Sequence, residues 1–423
     1  MEARANRVQE GPSRAPGRTA MSEAATIEKP LTKGTVLSVR SLRRAAGNLH
    51  WVATAILAAA LAPAFHLAKL PIRINWSLLL SAYCLRLGTR SIIAASLLYV
   101  IAFPLRETLL LVWQHYCAQK PRFIVLALFA GAMFWEFGWC IGLILILDTV
   151  VFLEFFDRIG GDPVKLGRAA RDLLAPAAYL FTGLVLVFCY NDLIASLKFA
   201  GSYDAAFNNL DAILLRGWTV SQLAHAAMRW LPWWDFRFLE FVYFGMFAQI
   251  GAALAITTLF FGKKRALAFV GTMVTAYYLA LILFFLWPSM GPFAICPAHF
   301  SRLPGTLEMY SIQKTFLLKA RLLSTHRLEL VIDTDYYIGF PCMHIAQPLI
   351  VLWFLRKWKR ITMALLAFDA VIVLAIFLLE QHYVVDLLGG VVVAILAIAL
   401  VYPMTSENKT QHLTTSQYEA RKN

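Results

Sequence analysis

The sequence predicts an all-α, polytopic integral membrane protein, and three observations carry that prediction. Hydrophobic residues make up 60% of the 423 residues and charged ones only 15%, whereas a soluble domain is about half apolar and about a quarter charged. The mean hydropathy is +0.64. The apolar residues gather into runs near the ~20 residues that cross a hydrocarbon core, with cations in the short turns between them. The net charge of +14 therefore reads as membrane topology. Nucleic-acid binding is not expected, because no basic stripe with interleaved aromatics appears.

Residues 1–50 are polar, Arg-rich and punctuated by Pro and Gly, and read as a disordered cytosolic tail. N-terminal membrane helices fill 51–173 with about four crossings. The first is at 51–70, a short apolar run follows at 74–87, and a span at 91–113 is interrupted by Pro104, Arg106 and Glu107. The run 123–156 is either a tight hairpin or one long tilted helix. Arg158, Lys165, Arg168 and Arg171 place the next loop in the cytosol. Residues 174–402 then form a six-helix core, with apolar segments at 174–195, 238–261, 267–287, 345–355, 361–379 and 387–401, before a polar cytosolic tail at 403–423. Both termini are thus cytosolic.

Segment 203–234 mixes Asn209, Asp211, Arg216, His225 and Arg229 with apolar residues at helical spacing. It reads as an interfacial amphipathic helix, with Trp218, Trp230, Trp233 and Trp234 at headgroup depth. Glu136, Asp148, Glu154, Glu240 and Asp369 lie within apolar runs and read as packing-face groups satisfied by neighbouring helices.

Two short strings carry the chemistry. Gly339-Phe340-Pro341-Cys342-Met343-His344 opens into one apolar run, and Glu380-Gln381-His382-Tyr383-Val384-Val385-Asp386 opens into another. The 38 positions between the histidines give roughly 57 Å of helix, about two passes through a ~30 Å core. One pass, the basic turn Arg356-Lys357-Trp358-Lys359-Arg360 and a return pass bring His382 back to the face where His344 began. His382 and Asp386 are four apart, so on a helix they share a face and can hydrogen-bond. The six cysteines show no C-x-x-C pattern, and no His/Cys/Asp/Glu cluster has metal-ligand spacing; neither metal nor cofactor is expected.

The pair P-x-x-H and H-Y-x-x-D-x-x-x-G resembles the second and third motifs of the type-2 phosphatidic acid phosphatase superfamily. The nearest branch in motif is that of inositol phosphorylceramide synthases, and the resemblance covers 174–401. It implies a catalytic trio: His382 as nucleophile, Asp386 as its orienter and His344 as acid/base. It implies a phospholipid donor and a lipid-alcohol acceptor, with a phospho-headgroup passing between them through a phosphohistidine. Lipid phosphate or polyprenyl pyrophosphate hydrolysis is the alternative, and a non-enzymatic lipid transporter is a further one. The active site falls on the non-cytosolic face. Oligomeric state is left open.

The chain departs from the family pattern in its phosphate clamp. Where the phosphatases carry P-S-G-H, this chain has Pro341-Cys342-Met343-His344; Ala375 and Ile376 stand where their third motif begins Ser-Arg. Trp287-Pro288-Ser289-Met290-Gly291-Pro292 occupies the region of their first motif. Cys342, Met343, Ser289, Gly291, Arg321 and Arg327 are accordingly the candidate substrate contacts.

Overall fold

The computed structural model describes residues 39–68, 72–74, 94, 98, 163–198, 202–295, 307–324, 330–332 and 339–401. The tail before 39, the runs at 75–87 and 123–156, Glu136, Asp148, Glu154, Arg327 and the C-terminal tail lie outside the described residues.

In chain order the helices are α1 Val39–Leu67, α2 Pro163–Lys198, α3 Asp204–Leu214, α4 Val220–Met228, α5 Trp233–Phe261, α6 Lys263–Leu286, α7 Glu308–Ser324, α8 Met343–Leu355, α9 Lys359–Leu378 and α10 Val384–Val401. A 3-10 turn at Pro292–Ala294 follows α6. Two three-residue strands, β1 Ile72–Ile74 and β2 Leu330–Ile332, pair in parallel with Ile72 opposite Leu330. This pairing is the one departure from an all-helical fold among the described residues.

Six helices are long and apolar enough to cross a membrane, namely the 49–67 part of α1, the 170–198 part of α2, and α5, α6, α9 and α10. The helix α8, at 13 residues, extends about 20 Å and is too short to span a ~30 Å core upright. The six core segments all appear as helices where the apolar runs predict them, five long enough to span and α8 not. At the N-terminal side the helix begins at Val39, inside the segment read as tail. Hydropathy marks where lipid begins, whereas a helix continues for as long as its backbone bonds close.

The α6 helix is the hub and packs against α1, α2, α5, α8 and α10. Small side chains allow that density: Ala266, Ala268, Ala276 and Ala280 are fully or nearly fully enclosed. A Cβ on Gly183 of α2 would press into Val274 of α6. Without water to expel, helices in lipid gain by close contact of this kind. A polar joint holds α1 to the bundle: His50 Nδ1 lies 2.7 Å from the Tyr179 hydroxyl, and the Thr54 hydroxyl 2.8 Å from that of Tyr278. Two of the acidic residues within spans find partners as expected. Asp369 accepts from Gln249 at 2.6 Å, and Glu240 accepts from the Met309 N–H at 2.6 Å and pairs with Arg237 at 3.0 Å.

The expected single amphipathic helix at 203–234 is two helices. Arg216 and Gly217 both take positive φ, which ends α3 and turns the chain into α4. Trp218, Trp230, Trp233 and Trp234 are exposed, Trp230 to 86%, as an interfacial belt requires. Asp211 is instead turned inward and fully buried.

The bundle has two chemically distinct ends. At one, the α5–α6 turn meets the α8–α9 turn, with an Arg265 guanidinium N–H donating to the Phe354 carbonyl at 2.8 Å. Lys263, Lys264, Arg356, Lys357, Lys359 and Arg360 cluster there. At the other, α8 starts and α10 starts, and the two histidines meet.

Candidate active site

His382 lies just outside α10, whose first residue is Val384. Its Nδ1 is 2.8 Å from the Gly339 carbonyl oxygen and 3.4 Å from Asp386 Oδ2. Both neighbours accept, so Nδ1 carries the proton and Nε2 faces the site. Nε2 is 3.4 Å from His344 Nδ1, with the rings tilted at 55°. The return of α9 alongside α8 brings the histidines together, although α8 is too short to make the full pass that the residue count assumes. They are enclosed rather than set at an open boundary: His344 is 9% exposed, His382 4% and Asp386 0%.

The spacing of His382 and Asp386 gives the contact for a different reason from the expected one. They do not share a helical face. Asp386 is the third residue of α10, and its Oδ2 reaches back to the Tyr383 N–H at 2.8 Å. That is the acidic half of a capping box, and it carries the carboxylate past His382 on the way. Orientation of the imidazole is thus shared, with the Gly339 carbonyl the closer partner.

Close backbone approach fixes the rest of the frame. The Cys342 N–H donates to the Asp386 carbonyl at 2.9 Å, and a Cβ at Gly390 would collide with the Cys342 carbonyl. The final Gly of the third motif is therefore the residue that lets α10 lie against the start of α8. Ser289 accepts from the Gly339 N–H at 2.8 Å, so the 287–292 segment backs directly onto His382's acceptor. Gly291 holds φ of +123° and abuts the Gln381 carbonyl, where a side chain would clash.

Several predicted contacts have other work. The Met290 and Gly291 N–H groups donate to Asp204 Oδ1 at 2.9 and 3.0 Å, so Gly291 is a turn residue and not a free donor. Met343 is buried in the apolar core that also holds residues of α6 and α10. The backbone of Arg321 belongs to α7, its side chain and Arg327 lying outside the described residues. Ser289 and Cys342 remain as candidates: Ser289 Oγ is buried without a hydrogen-bond partner, and Cys342 is enclosed beside His382.

The two helix starts differ from one another. At α10, the Tyr383 N–H is taken by Asp386, and the Val384 N–H by Asp211 Oδ1 at 2.9 Å. No donor is left there for a phosphate. At α8, Cys342 is the N-cap and makes no capping bond. Among the described residues nothing accepts from the N–H groups of Met343 and His344, so this start alone keeps open donors and a positive dipole end.

Residues with no signal in the two strings complete the site. Tyr243 of α5 stacks on His344 with centroids 4.0 Å apart, and Phe247 meets the same ring edge-on at 6.1 Å. The Tyr383 hydroxyl donates to Asp204 at 3.2 Å. Burial raises Asp204, and it pushes Asp211 up to about 7. Burial works to lower the pKa of His382, but Cys342 and Asp386 outweigh it and the net direction is upward. No lysine or arginine among the described residues ion-pairs or hydrogen-bonds with His344, His382 or Asp386. Cys342, His344 and His382 also bring one metal-capable atom each to within 4.8 Å of one another, a grouping that sequence spacing hides because the histidines are 38 residues apart.

Residues 215–400 match the family model of the PAP2 superfamily, a group of phosphatases and phosphotransferases. The matched stretch contains both histidine motifs. No curated protein and no solved structure matches the chain.

Proposed function

We propose that this is a membrane phosphotransferase that moves a phospho-headgroup from a phospholipid to a lipid alcohol through a phosphohistidine at His382. The observation that carries the reading is the paired imidazoles, with His382 Nδ1 pinned by Gly339 and Asp386 and Nε2 directed at His344. Proton transfer from His382 Nε2 to His344 Nδ1 creates nucleophile and acid together. His382 Nε2 then bonds to phosphorus as the phosphorus–oxygen bond to the diacylglycerol breaks, and His344 protonates the leaving alkoxide. In the second half His344 takes the acceptor's hydroxyl proton, and the acceptor oxygen displaces His382. At 3.4 Å the rings leave no room for a phosphoryl group, so substrate entry parts them. The open N–H groups of Met343 and His344 serve the equatorial oxygens.

Charge favours a diester over a monoester. A phosphate monoester carries nearly two charges at neutral pH and a diester one, and neutral backbone donors, with no lysine or arginine paired to the histidines among the described residues, suit the smaller charge. Competitive kinetics with phosphatidic acid and phosphatidylinositol, with an acceptor lipid present, tests this. Diester turnover that depends on acceptor is expected. Faster release of free phosphate from phosphatidic acid, independent of acceptor, would replace the transferase with a lipid phosphatase.

The clustering of basic turns at the end opposite the histidines supports a non-cytosolic site and cytosolic termini. In a background without native cysteines, a membrane-impermeant thiol reagent applied from the non-cytosolic side should label Trp230→Cys and spare Lys357→Cys. The reverse pattern would invert the orientation.

A further inference from the structure

We propose that Cys342, His344 and His382 form a binding site for a borderline-soft divalent cation of the zinc class. Cys342 Sγ and one ring nitrogen from each histidine lie within 4.8 Å of one another. His382 Nδ1 is committed to Gly339 and Asp386, which leaves Nε2 as the ligand atom. That is the carboxylate–histidine arrangement that orients ligand imidazoles in metal sites.

The spacing fits a tetrahedral ion. Zinc–nitrogen bonds of about 2.0–2.1 Å at tetrahedral angles put two nitrogens about 3.3 Å apart. His382 Nε2 and His344 Nδ1 are 3.4 Å apart. A nitrogen–sulfur pair in the same geometry needs about 3.6 Å, from a zinc–sulfur bond near 2.3 Å, so the thiol closes by about 1 Å at most. A hydrogen bond between the rings accounts for their separation alone. The Cys342 thiol, which makes no capping bond at its own N-cap, bonds instead to His382, and this keeps all three ligand atoms converged.

The donor set selects the ion. One thiolate and two imidazoles suit zinc, cobalt or cadmium, whereas magnesium and calcium call for oxygen ligands that this triangle does not offer. Three protein ligands leave a fourth position for water or a phosphate oxygen. Binding releases the thiol proton. The functional consequence rests on the phosphohistidine reading. The metal takes the lone pairs that transfer requires, so the occupied protein cannot turn over.

The test uses the full-length protein in detergent, stripped with a chelator and titrated with cobalt and zinc. One equivalent of cobalt should produce a thiolate-to-cobalt charge-transfer band that zinc abolishes. Cys342→Ser should lose the band and bind at least roughly 10-fold more weakly, while Cys189→Ala, altered in α2, should keep both. Absence of stoichiometric binding, or a band that survives in Cys342→Ser, overturns the site. Zinc-edge X-ray absorption on the wild-type protein needs no variant: one sulfur at about 2.3 Å with nitrogens at about 2.0–2.1 Å is expected, and a shell without sulfur contradicts the proposal. If zinc binds in this way but phospholipid turnover continues undiminished, the phosphohistidine reading fails and the metal site stands.

Discussion

The starts of α8 and α10 make an instructive pair. Each follows a motif turn, each lies beside a histidine, and the two touch through Cys342, Asp386 and Gly390. Yet their backbone donors have opposite fates. The α10 start is closed by two carboxylates, one from its own third residue and one from α3, 173 positions away. The α8 start is left open among the described residues. A closed start is a fixed anchor, which holds His382 in one tautomer and one place. An open start in a buried site is where anionic oxygens gain most from N–H donors. The site thus divides positioning from binding between two helices that sequence patterning treats alike.

The largest effect should come from the anchor. Asp386→Asn keeps an acceptor for the Tyr383 N–H but withdraws the charge beside His382. Triad carboxylates lose ~10^4 on this change. Here the Gly339 carbonyl still holds Nδ1, so steady-state assays should show a smaller drop in kcat with KM little altered. A loss as great as that of His382→Ala would mean that Gly339 contributes nothing to orientation.

Proline at the first helical position sharpens the contrast, because it removes one N–H where the helix tolerates it. Met343→Pro deletes an open donor and should cost about 10^2–10^3 in kcat, as removal of an oxyanion donor does. Val384→Pro deletes a donor already bonded to Asp211, so it should lower thermal stability, by about 1 kcal/mol as lost caps do, more than it lowers kcat. Equal kinetic penalties in folded proteins would erase the distinction between the two starts.

Much of this was legible in the sequence. The core helices follow from apolar runs, and so does the antiparallel return that brings His382 back to His344, although α8 falls short of the full pass that the count assumes. The contact of His382 with Asp386 was legible too, but for the wrong local reason, since four-residue spacing serves a capping carboxylate as well as a helical face. What stayed hidden was long-range and side-on. Asp211 carries the same amphipathic signature whether it faces water or caps a distant helix. Tyr243 is one aromatic among many in α5, and nothing periodic marks it as the ring under His344. Gly291 shows why a turn residue passes for a phosphate donor: only the fold reveals that Asp204 has taken its N–H.

The central claim is that phosphorus bonds transiently to His382. Purified protein mixed with phospholipid labelled at its headgroup phosphorus, without acceptor, and quenched in base within the first turnover tests it directly. The account predicts an acid-labile, base-stable label that maps to His382, disappears on addition of a lipid alcohol as labelled product forms, and never appears in His382→Ala. Product formation by His382→Ala, or a stable label mapping to another residue, would contradict it.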